Sequence, residues 1–218
     1  MLSWFSNARI STKVLLATGA LVVVVAATNY IVFVKLYRGD AKAALAQKAD
    51  AFTAVADAAK SHASLLVESE TYKTEELLTE LKQDREAGKP YTESRIFNTI
   101  PVIVGLKAAK EAASREDIDF RVPALEPRNP ENDPSADQVA GVFRREMLVE
   151  LRDRVQAGDL SSLSRVNNST NQVHVMRPIV LDASCMMCHG NAGHKQGDPD
   201  GDGIDPLGFP MEGWAEGD

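Results

Sequence analysis

LDASCMMCHGNAGHKQGDPDGDGIDPLGFP, Leu181 to Pro210, contains both cysteines of the 218-residue sequence and two of its four histidines. The cysteines stand two residues apart and a histidine follows directly, as Cys185, Cys188 and His189. CxxCH is the attachment signature of c-type haem. The gap puts both sulfurs on one helical turn, at the spacing of the two porphyrin vinyl groups, and the next imidazole then points at the iron as proximal ligand. The same residues would also suit half a zinc site, a disulfide or a thiol redox pair. A structural zinc site wants four ligands, and no second CxxC or HxxxH supplies the others. A redox CxxC usually opens a helix within a βαβ unit, and no such pattern surrounds this one. The sequence therefore predicts one covalent haem c on Cys185 and Cys188, with His189 on the iron.

Downstream, DPDGDGID places carboxylates at Asp198, Asp200, Asp202 and Asp205. This approaches the start of a calcium loop, although the twelfth position, where an EF-hand carries Glu, is Phe209. These four aspartates are candidate calcium ligands, against the plainer reading of a solvated acidic loop. The final Gly-rich stretch offers little to pack.

Upstream, LSRVNNSTNQVHVMRPIV (163–180) reads as a β-hairpin turning at 167–170, whose second strand leads into the haem turn. A helix is predicted over 135–156, and IDFRVPAL (118–125) alternates like a strand. Between them, EPRNPENDP (126–134) has three prolines and is irregular. Pro101 opens a helix to about Ser114. Thr74 caps another, with Glu75 and Glu76 in its first turn and a stop at Gly88-Lys89-Pro90.

From Asp40 to about Val67 the chain reads as one long helix without Pro or Gly. Leu45, Phe52, Val55, Ala59, His62 and Leu66 form an a/d seam, the pattern of a helix packing on a partner helix. A homodimer through this helix is a candidate assembly. His62 lies on that seam among apolar neighbours, which makes it the leading candidate for the distal iron ligand. A methionine, His174, His194 or an open position are the alternatives.

Residues 14–34, VLLATGALVVVVAATNYIVFV, carry no charge. As a helix they span about 31 Å at ~1.5 Å per residue, close to the hydrocarbon thickness of a bilayer. The expectation is an uncleaved anchor, because a signal peptide has a shorter apolar region and a clearer cleavage site than VAATN. Haem c is attached outside the bacterial cytoplasm, so the bulk of the chain is expected in the periplasm, held to the inner membrane by one span. The net charge of −7 argues against a nucleic-acid partner.

The expected architecture is α+β: a cytoplasmic N-terminus (1–13), a transmembrane helix (14–34), a helical stalk or hairpin (36–90), and a haem-bearing domain (91–218) with a small antiparallel sheet. TIPVIVGLKAAKEAA, FRVPALEPRNPEN, RPIVLDASCMMCHG and DPLGFPMEGWAEGD occur in this order. With them, the chain resembles periplasmic haem c-binding sensor domains, a family formerly of unknown function, found at the front of methyl-accepting chemotaxis proteins and other membrane signalling proteins. The resemblance covers about residues 95–218. It implies a PAS-like fold, covalent haem on Cys185 and Cys188, His189 on iron, and a sensory role. Such domains usually continue with a further strand; in chemoreceptors a second membrane helix and signalling modules follow. This sequence stops at Asp218.

The functional expectation is a membrane-anchored sensor of redox state or a diatomic gas, the input part of a chemoreceptor-like protein. The alternative is a membrane-anchored monohaem electron carrier. No HExxH, nucleophile elbow or phosphate-cradling loop is present, so catalysis is not expected.

Overall fold

The structure is a computed structural model and describes residues 9–217. Most of the expected N-terminal segment, residues 1–8, lies outside the described residues. The chain divides into two compact units, Met1–Leu45 and Ala46–Asp218.

Helix α1 runs unbroken over Ile10–Glu68. Gly39 does not interrupt it, since one glycine in a long helix costs only about 1 kcal/mol relative to alanine. In the first unit the apolar side chains are exposed, Val22 to Val24 by 61–67%. Thr28 returns its hydroxyl to the Val24 carbonyl at 2.8 Å, so a polar side chain there is satisfied within the helix. The helix is long and apolar enough to cross a membrane.

The second unit is α+β. Helices α2 (Thr74–Glu86) and α3 (Pro101–Ser114) follow α1, then α4 (Gly141–Gln156). Strands β1 (Leu163–Asn167) and β2 (Gln172–Met176) form the two-stranded antiparallel sheet, with Leu163 opposite Met176 and Asn167 opposite Gln172. A 3-10 turn, Ala183–Cys185, leads into the short helix α5, Met186–His189.

Several details depart from the expectations. Thr74 is the first helical residue and Lys73 sits at the cap. The helix expected from Ser135 starts at Gly141, because Asp137 Oδ1 accepts from the Val139 and Ala140 amides and holds the preceding turn out of the helix. The segment 118–125 forms no strand: alternation without a partner strand makes no ladder, and Pro123 has no N–H to give one.

The a/d seam is not the face that α1 turns to the domain, although Phe52, Ala59 and Leu66 are half-buried. Leu45 is 54% and Val55 48% exposed, and His62 is exposed. The buried residues of α1 are Lys60, Ala63 and Ser64. The face turned to the domain is Asp50, Thr53, Ala56, Lys60 and Ser64, one side of a 3.6-residue helix. Arg177 bonds Asp50 at 3.0 Å and Thr53 at 3.1 Å. Helix α3 presses Gly105 onto the same face: a Cβ there would lie 2.5 Å from the Ala56 carbonyl oxygen. Close backbone approach selected this face over hydrophobicity.

Two apolar clusters hold the unit together. Leu77, Leu81 and Ile96 pack with Tyr91 and Leu207; Met147, Leu151 and Leu163 pack with Phe143 and Met176. The Gly-rich end therefore does pack: Leu207 joins the first cluster, and Phe209 meets Tyr91 edge-on at 5.3 Å.

Candidate functional site

The CxxCH turn is built by its own local sequence. Asp182 caps it, accepting from the Ser184 amide at 3.1 Å. The other carboxylate oxygen, Oδ2, accepts from Lys60 at 2.8 Å and Ser64 at 2.9 Å, and Lys60 also donates to the Val180 carbonyl at 2.9 Å. Burial alone would raise the Asp182 pKa. Hydrogen bonds from Lys60, Ser184 and Ser64 outweigh it and hold the carboxyl well below the usual range.

Cys185 and Cys188 are free thiols in neighbouring turns of this segment. Burial pushes the Cys185 thiol up. Burial, with the nearby Asp205 charge, pushes Cys188 up to about 12. Among the described residues, neither cysteine shares a cluster of three potential metal ligands. Attachment to a vinyl group would add each half-buried thiol across the double bond, sulfur to one carbon and hydrogen to the other.

His189 is fixed on two sides. Its ring stacks on Trp214, with centroids 5.2 Å apart and planes 9° from parallel. Its Nδ1 is 2.9 Å from Glu212 Oε2, which leaves Nε2 for an iron atom. Between these partners stands Gly213, at φ +73°. This left-handed conformation is open to glycine at little cost, and it lets Glu212 and Trp214 both reach one imidazole. The Gly213 and Trp214 amides bond the carbonyls of Gly190 and His189 at 3.1 and 2.9 Å.

Arg128 is the hub behind this arrangement. It grips Glu212 through Nε at 2.8 Å and Nη2 at 2.7 Å, bonds Asp205 at 2.5 Å, and donates to the carbonyls of Cys188 and Pro210. Burial opposes the charges of both Arg128 and Glu212, and their mutual hydrogen bonds overcome it: the Arg128 pKa is raised and that of Glu212 lowered. A cavity of about 360 Å³ lies beside the turn, lined by Met186, His194 and Trp214 among others.

The structure thus brings Cys185, Cys188 and His189 together and adds Glu212, Trp214, Arg128, Asp182, Lys60 and Ser64, which sequence reasoning missed. The EGW triplet was the available signal for two of them. His62 is not brought to the turn. Lys60 and Ser64 reach Asp182, and His62, two residues beyond Lys60, points about 200° around the helix, to the opposite side. His174 lies on β2 with its ring 5.0 Å from Phe143, and its buried Nε2 has no hydrogen-bond partner among the described residues.

Asp198, Asp200 and Asp202 place carboxylate oxygens within 4.8 Å of one another, but Asp205 stands apart from that group and pairs with Arg128. Asp198 is fully buried and accepts from the amides of Gly193, Asp202 and Gly203. Its burial is explained as the organiser of the loop.

The chain matches the Tll0287-like family over residues 38–218 and belongs to it. The match extends well before residue 95 and takes in the domain-facing half of α1, in keeping with the packing of Asp50 to Ser64. No curated protein and no solved structure matches the chain.

Proposed function

We propose that this member of the Tll0287-like family is a membrane-anchored periplasmic haem c sensor domain, a non-catalytic input unit of a chemoreceptor-like signalling protein. The observation that supports it most is His189, with Nδ1 engaged by Glu212 and its ring stacked on Trp214, directly after the two cysteines of the CxxCH segment. Family membership supports haem binding, and the resemblance read from the sequence supports the PAS-like class. When bound, the haem supplies a one-electron iron centre able to take a small diatomic ligand or a redox partner's electron. Cys185 and Cys188 hold it, and His189 Nε2 ligates its iron.

The link to α1 favours sensing over electron carrying. Asp182 caps the CxxCH turn and is held by Lys60 and Ser64 of the helix whose earlier part is the proposed anchor. A shift of the turn therefore acts on α1 through the ion pair between the buried Lys60 and the half-buried Asp182, which a carrier on a tether does not need. Calcium at Asp198, Asp200 and Asp202, and a homodimer through the a/d side of α1, are subsidiary parts of the proposal.

Optical and EPR spectra of the ferric and ferrous full chain, with and without CO and NO, test this reading. Ligand-dependent spectra at micromolar gas support a gas sensor. Spectra unmoved by either gas support a redox sensor or the electron-carrier alternative.

A further inference from the structure

The Glu212–His189 bond goes beyond tethering. Imidazoles that ligate metals commonly donate the second ring N–H to a carboxylate, which orients the ring and raises its basicity as a ligand. Here the acceptor is a full carboxylate, 2.9 Å from Nδ1, with a side chain only 26% exposed. It is presented by a glycine in the left-handed conformation and by backbone bonds from Gly213 and Trp214 to the turn itself. Two nitrogens of Arg128 hold the same carboxylate. Glu212 Oε2 is therefore shared between Arg128, which draws charge away from the imidazole, and His189, which receives it.

We infer that Glu212 is a positioning residue that sets the electron-donating power of His189, and that Arg128 moderates it through the same carboxylate; this rests on the haem reading above. A partly anionic imidazole stabilises ferric over ferrous iron. Glu212 thus lowers the midpoint potential and stiffens the iron–histidine bond, and the Arg128 clamp keeps both effects below their maximum. The triplet Glu212-Gly213-Trp214 becomes a tuning device for the haem, separate from the cysteines that attach it.

Wild type, Glu212→Gln and Arg128→Lys full chains, matured with c-type attachment machinery, are compared by redox titration and by resonance Raman of the ferrous form. Attached haem is scored by mass. Glu212→Gln removes the charge and keeps an acceptor, so the ring stays placed. Its ferric-to-ferrous ratio, at the potential where wild type is half reduced, should fall about tenfold, a rise of ~59 mV for one electron. Its iron–histidine stretch should move to lower frequency. Arg128→Lys keeps the charge but cannot grip the carboxylate through two nitrogens, so its midpoint should move the opposite way. Opposite signs separate tuning from simple loosening, which would move both variants alike. A haem-loaded Glu212→Gln with unchanged midpoint and stretch overturns the inference. If that variant holds no haem, Arg128→Lys decides: a lower midpoint supports the inference, and an unchanged or higher one overturns it. Wild type without covalent haem would instead sink the underlying reading.

Discussion

Lys60 Nζ lies 2.8 Å from Asp182 Oδ2, and Lys60 is only 6% exposed. A buried ammonium needs a partner, and this one joins the domain-facing side of α1 to the residue that caps the CxxCH turn. Lys60→Met should lower stability by about 2 kcal/mol through the lost charged hydrogen bonds, a fall of roughly 5 °C in Tm for a chain of this size. Thermal unfolding followed by circular dichroism in detergent checks it; an unchanged Tm would show that the pair contributes nothing net.

The same pair gives a pH dependence. The folded-state pKa of Asp182 is depressed from its ordinary value of about 3.9. Its stabilisation is therefore fully present above that value and is lost as pH falls towards the folded pKa. Stability should drop with acid below about pH 4, and Lys60→Met should flatten that part of the curve. A variant with the wild-type acid slope would remove Asp182 as a contributor.

Gly105 should not tolerate a side chain. An added Cβ would sit 2.5 Å from the Ala56 carbonyl oxygen and 3.3 Å from Lys60 Cβ. Both helices must shift to admit it, so Gly105→Ala should destabilise by about 1–3 kcal/mol despite the better helix propensity of alanine. A denaturant midpoint equal to or above wild type would mean that α3 does not pack on α1 as described.

His62→Ala should leave the haem spectrum unchanged. The side chain is exposed and lies on the side of α1 opposite Lys60. Conversion of the ferrous spectrum from low-spin to high-spin would restore His62 as an iron ligand.

The sequence shows what local chemistry dictates. Pro101 starts α3, the Asn-rich turn closes the β1–β2 hairpin, and CxxCH forms its own turn at Cys185–His189. It does not show which side of α1 is buried. Alanine, lysine and serine leave the hydrophobic pattern ambiguous there, and the choice rests on two long-range ion pairs, Lys60–Asp182 and Asp50–Arg177, and on Gly105. Nor does it show that Arg128 reaches Glu212, 84 residues away, and Asp205, 77 residues away. Charge pairs at such separations have no local signature. The strand expected at 118–125 failed for the converse reason, since alternation is visible locally and a partner strand is not.

Mass measurement of the purified full chain after acid–acetone extraction tests the central claim most directly. Co-expressed with c-type maturation machinery, wild type should keep the added mass of one haem. Cys185→Ala with Cys188→Ala should lose it, while either single variant should remain linked through the other sulfur. Haem that extracts from wild type, or a wild-type chain of unmodified mass, would contradict the account.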